Sequence, residues 1–120
     1  MSISHLFKNP NLSLKATLRI FGEEIPFFGP GRLQLLEHIE STGSISQAAK
    51  NMGMSYKKAW KMISSMNEQA IKPLVLMQTG GSSGGGAIVT EEGHEIMQYY
   101  QALHKRFEAF LENESKNLTL

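Results

Sequence analysis

From Leu12 the chain alternates, with Leu12, Leu14, Ala16, Leu18 and Ile20 on one side and Ser13, Lys15, Thr17 and Arg19 on the other. That is the two-residue period of a half-buried strand. "GEE" turns the chain, and "IPFFG" predicts a short second strand that its proline confines to an edge. The period then lengthens. Pro30 suits the first turn of a helix, Leu33, Leu35, Leu36 and Ile39 recur at helical spacing, and "STG" stops the pattern at Gly43.

Ser44 is placed to cap a second, short helix, "SISQAAKNM", whose buried face is Ile45, Ala48, Ala49 and Met52, and Gly53 ends it. Ser55 caps a third through "YKKAWKMISSMNEQ", where Ala59, Ile63 and Met66, with Trp60 and Met62 alongside, make a broad apolar stripe. Its other side is Lys57, Lys58, Lys61, Ser64 and Ser65, with no carboxylate before Glu68. Pro73 opens a strand, "PLVLMQT", the glycine run "GGSSGGG" follows, and "AIVT" returns as the second strand of a hairpin.

Thr90 caps a last helix, with Glu91 and Glu92 in its first turn, where the positive end of the helix dipole favours them. Ile96, Tyr99, Tyr100, Leu103, Phe107, Phe110 and Leu111 form its apolar stripe over about six turns. The expected fold is therefore mainly α with a small β part (α+β): N-terminal strands, three helices, a β-hairpin and a long C-terminal helix.

A chain of 120 residues supports one domain, residues 1–120, that buries roughly two-thirds of its unfolded surface. With 41% hydrophobic and 19% charged residues, composition favours neither disorder nor a membrane span. The N-terminus lacks a signal-peptide apolar core, so a cytoplasmic protein without a membrane partner is expected. The absence of cysteine excludes disulfides, thiolate metal sites and cysteine nucleophiles. The net charge of +1 hides a division. Residues 43–90 hold five lysines against Glu68, and residues 91–114 hold six glutamates against Lys105 and Arg106.

Two short helices joined by a glycine turn, small alanines where they must approach, and a cationic outer face on the second meet the requirements of a helix-turn-helix, here residues 44–69. The bland alternative is a helical hairpin with a solvated lysine face. The hairpin that follows, residues 74–90, favours the first reading, because recognition helix, strand, polar glycine loop and strand make a winged helix. Glycine at 80 and 81 lets amides approach a phosphate closely, and Gln78, Thr79, Ser82 and Ser83 can donate to backbone oxygens, so Gly80 and Gly81 join them as candidate contacts. A nucleotide cradle is rejected, because Ala87, Ile88 and Val89 follow the last glycine where a lysine, a hydroxyl residue and a helix are needed.

"GSISQAAK", "GMSYKKAW", "MN" and the glycine-rich wing ending in "VT" before "EEG" resemble, in that order, the N-terminal DNA-binding domain of the ModE family of molybdate-responsive bacterial regulators. More distantly the chain resembles the winged helix of LysR-type regulators, and the likeness covers about residues 12–112. It implies a winged helix-turn-helix with Ser55, Tyr56, Lys57, Lys58 and Lys61 on the recognition helix. It also implies dimerisation through the N-terminal strand region, including Leu12 and Leu14, and flanking helices. Full-length members carry a C-terminal oxyanion-sensing region, whereas this sequence stops at Leu120, so direct molybdate binding is not expected.

The remaining chemistry is sparse. "HEIMQ" begins like a zinc-binding helix, but Gln98 stands where the second histidine belongs, so no metal is expected. No cofactor motif and no convergent nucleophile, base and acid are present, which argues against an enzyme. The methionines Met52, Met54, Met62, Met66 and Met77 read as core fillers. The stripe on the last helix, residues 90–114, exceeds what a small domain covers, so Tyr99, Tyr100, Leu103, Phe107 and Phe110 are expected to meet a second copy. The expected function is a homodimeric, sequence-specific binder of double-stranded DNA that regulates transcription. Recognition-helix residues read the major groove, Ser46 and Gln47 meet the backbone, and the wing lies alongside. The alternative is a winged helix that docks a partner protein.

Overall fold

A computed structural model describes residues 1–78 and 86–120. Its order is a single 3-10 turn (Ser4–Leu6), β1 (Ile20–Gly22), β2 (Ile25–Phe28), α1 (Pro30–Thr42), α2 (Ile45–Asn51), α3 (Tyr56–Gln69), β3 (Val75–Gln78), β4 (Gly86–Val89) and α4 (Glu91–Asn117). The architecture is the expected α+β winged helix. Two compact units divide the chain, residues 19–100 and residues 1–18 with 101–120.

In the larger unit, local signals set the helix ends. Pro30 occupies the first turn of α1, and Gly43 closes it in the left-handed conformation at φ 69°, with its amide bonded to the Ile39 carbonyl at 2.7 Å. The Ser44 and Ser55 hydroxyls cap α2 and α3 by accepting from the amides of Gln47 and Lys58, each at 3.1 Å. Gly53, at φ 66°, makes the turn between them. The Thr90 hydroxyl accepts from the Gly93 amide at 3.0 Å and shares its proton between the carbonyls of Pro73 and Leu74.

The core lies where α1 packs on α2 and β4, α2 packs on α3, and α1 and α3 meet β2. Leu35, Leu36, Ile39, Ala48, Ala59, Ile63 and Met66 are fully buried, joined by Phe28, Val75, Ala87 and Tyr100. β3 and β4 pair antiparallel, Val75 opposite Val89 and Gln78 opposite Gly86. The Ala87 amide also donates to the Gly43 carbonyl at 2.9 Å, so β4 is bonded on both sides. Tyr100 sets its ring edge-on to Phe28, with centroids 5.5 Å apart.

The alternating stretch from Leu12 is not the long strand that its pattern suggests. Residues 11–19 have no regular secondary structure, and only Ile20 of the alternating set enters β1. A ladder needs a neighbouring backbone, and β2 offers four residues, paired from Ile20 to Gly22 with an irregularity after Ile20. In the smaller unit the N-terminal segment instead meets the end of α4: the Leu14 amide donates to the Ser115 hydroxyl at 2.8 Å, and the Ile3 amide to the Leu118 carbonyl at 3.2 Å. Among the described residues no helix is long and apolar enough to cross a membrane.

Gly93 is fixed by packing. A Cβ there would overlap the Leu74 carbonyl oxygen and stand 2.6 Å from Val89 Cγ1, so the start of α4 lies directly on the hairpin base. Gly93→Ala is expected to destabilise the protein by about 1–3 kcal/mol through overpacking, despite alanine's better helix propensity. Urea unfolding measures this, and an unchanged or higher midpoint contradicts it.

Candidate nucleic-acid interface

The recognition surface begins with the seating of α3 on α2. Ala48, Ala49 and Ala59 are all but inaccessible, and side chains of one carbon let the two helices approach. Ala59, Ile63 and Met66 form the inner face of α3. Helical geometry then turns Lys57 and Lys61 outward and sets Lys58 on one flank. All three lysines are exposed, as are Ser55 and Tyr56. None of them, nor Lys50, has a carboxylate within ion-pair distance among the described residues. The amides of Tyr56 and Lys57 precede the first intrahelical bond, from the Ala59 amide to the Ser55 carbonyl, and so add donors at this end.

Ser46 and Gln47 are exposed at the start of α2, in the same packed pair of helices. The Gln47 side-chain amide donates to Asn51 Oδ1 at 3.0 Å, a bond that uses its nitrogen and not its oxygen. Gln78 is exposed at the end of β3. Thr79, Gly80, Gly81, Ser82 and Ser83 lie outside the described residues.

Of the residues expected at a subunit contact, Leu14, Tyr99 and Phe110 are exposed, and Leu12, Leu103 and Phe107 are half-buried. Tyr100 corrects that expectation: it is 1% exposed, packed against Phe28, and out of reach of a partner. Burial raises its hydroxyl pKa, and the Arg19 charge opposes that shift. Met77 is no core filler either: it shares a face with Val75 and stands opposite buried Ala87, yet it is 44% exposed, one residue from the end of β3. His94, the start of the zinc-like motif, meets the Glu40 carboxylate through Nε2 at 2.6 and 2.7 Å.

Three side chains that carry the frame of this surface leave no periodic signal in the sequence. Asn67 clamps α3 to the hairpin: its Oδ1 accepts from the Leu74 amide at 2.8 Å and its Nδ2 donates to the Val75 carbonyl at 3.0 Å. Arg32 donates to the carbonyls of Pro26 and Phe27, both at 2.8 Å, and to the Ser65 hydroxyl at 3.3 Å. Burial lowers its pKa, but a guanidinium stays protonated. Gln69 donates to the same Pro26 carbonyl at 2.9 Å. Trp60, expected beside the apolar stripe, is 44% exposed.

A short helix seating a lysine-faced one, followed by a hairpin clamped to its far end, defines a winged helix-turn-helix. The model of bacterial regulatory helix-turn-helix proteins of the lysR family matches residues 30–94, from α1 to the start of α4. The chain belongs to that family. It is 44% identical over 92 residues to the DNA-binding transcriptional dual regulator ModE of Escherichia coli (strain K12), covering 77% of this chain and 33% of that protein. It is 44% identical over 87 residues to the molybdenum transport protein ModE of Azotobacter vinelandii, covering 72% and 32%. The molybdenum-pterin-binding protein MopB of Rhodobacter capsulatus is 39% identical over 92 residues, covering 77% and 34%. The chain spans about a third of the length of these curated relatives.

Asn67→Ala strips partners from the backbone of Leu74 and Val75 and is expected to destabilise the protein by about 1–3 kcal/mol. Gln34→Ala, on the exposed side of α1, should stay within about 0.5 kcal/mol. Equal midpoints for the two variants in urea unfolding contradict the clamp.

Proposed function

We propose that this chain is the DNA-binding part of a ModE-type transcription regulator that grips a specific double-stranded site as a homodimer in the cytoplasm. The observation that carries the reading is the exposed cluster of Lys57, Lys58 and Lys61 at the start of α3, without ion-pair partners among the described residues. A recognition helix enters the major groove by its N-terminal turns. Ser55 and Tyr56 then meet bases or phosphates, and the three lysines meet phosphates or guanine edges. Ser46, Gln47 and the first amides of α2 hold the backbone, and Thr79, Gly80, Gly81, Ser82 and Ser83 follow the adjacent strand.

Homodimerisation is supported by apolar side chains that stay wholly or partly at the surface, Leu12 and Leu14 in the stretch before β1 and Tyr99, Leu103, Phe107 and Phe110 along α4. Two-fold symmetry then sets half-sites about 34 Å apart. Two of the relatives carry molybdenum in their names, which points to molybdenum-related genes as targets. No molybdate contact, metal or cofactor is assigned to these residues. A second reading, docking of a partner protein, draws on Leu76 and Ile88, cross-strand partners that are both exposed on the hairpin.

Titration of genomic DNA fragments at rising salt separates the two, since only the first gives salt-sensitive duplex binding. If each lysine neutralises a phosphate, Lys57→Ala, Lys58→Ala and Lys61→Ala should each reduce the magnitude of the salt slope by roughly 0.9 per contact in each subunit. An unchanged slope in all three variants removes them from the interface.

A further inference from the structure

Trp60 stands out on α3 because its helical neighbours explain its spacing but not its exposure. It sits one residue beyond buried Ala59, yet 44% of it is open, and Tyr56, one turn earlier on the same flank, is 52% open. Lys57 and Lys61 border it on the outer side. Asn67, two turns further along almost the same direction, ties that flank to the start of β3. Trp60 therefore lies on the flank of the lysine face, within the turns that a recognition helix presents to base edges. A lysine face needs no indole to bind phosphate, and the apolar group that the major-groove floor offers to such a ring is the thymine C5-methyl.

We propose that Trp60 is a specificity-determining residue that packs on a thymine methyl in each half-site. The inference rests on the DNA-binding reading above and adds to it a base preference and the side chain that sets it. Tyr56 borders the same contact from the first turn of α3.

The test uses the whole chain and duplexes selected by it from random DNA. Each thymine in turn is replaced by deoxyuridine, which removes only the methyl. One position per half-site should weaken wild-type binding about fourfold, the loss expected for one buried methyl. Trp60→Ala should stay folded at the assay temperature, bind the unmodified duplex more weakly, and show no further loss at that position, the non-additivity of a direct contact. Trp60 is the chain's one tryptophan, so its fluorescence should also change on binding. Equal deoxyuridine losses in wild type and Trp60→Ala, or a selected site without thymine, overturn the proposal while leaving DNA binding intact. A chain that binds no duplex at low salt overturns both.

Discussion

The packing of α3 on α2, with Ala48, Ala49 and Ala59 buried, is the constraint on which the rest depends. A helix seated by such small side chains has little freedom to roll, so the positions flanking Ala59 are fixed as well. Lys58 and Trp60 are held on opposite flanks, and Lys57 and Lys61 are turned to solvent between them. A larger residue at any of the three alanines would lift α3 and shift all four side chains together. Asn67 completes the seating from the other end, by bonding to backbone rather than by apolar contact.

Charge is distributed to match. On α4, Lys116 lies 4.0 Å from Glu112 and His104 3.4 Å from Glu108, exposed pairs that add little stability. Among the described residues the lysines of α3 have no such neighbours, so their field extends outward and remains open to an anionic surface.

The fold was legible wherever its causes are local. Pro30, Gly43, Ser44, Gly53, Ser55 and Thr90 act on amides and carbonyls within a few residues, and a cap or a left-handed turn leaves its mark in adjacent letters. What distant groups decide was not legible. The alternation from Leu12 to Ile20 shows which side is apolar but not whether another strand exists to pair with it. The stripe on α4 does not mark where the core ends, so its pattern places buried Tyr100 with exposed Tyr99. Trp60 sits at the edge of an apolar arc, where spacing alone does not separate inside from outside. Arg32 and Gln69 bond to carbonyls of β2, in Gln69's case 43 residues away, and no periodic pattern records such a bond.

The double bonding of β4 has a consequence for how the hairpin can vary. β3 holds it on one edge and the Gly43 carbonyl on the other, while a Cβ on Gly86 would stand 3.1 Å from that same oxygen. The stems are thus anchored independently of what joins them. Variation at Gly43 or Gly86 would instead move the end of α1 and the return strand together, because a single carbonyl joins the two.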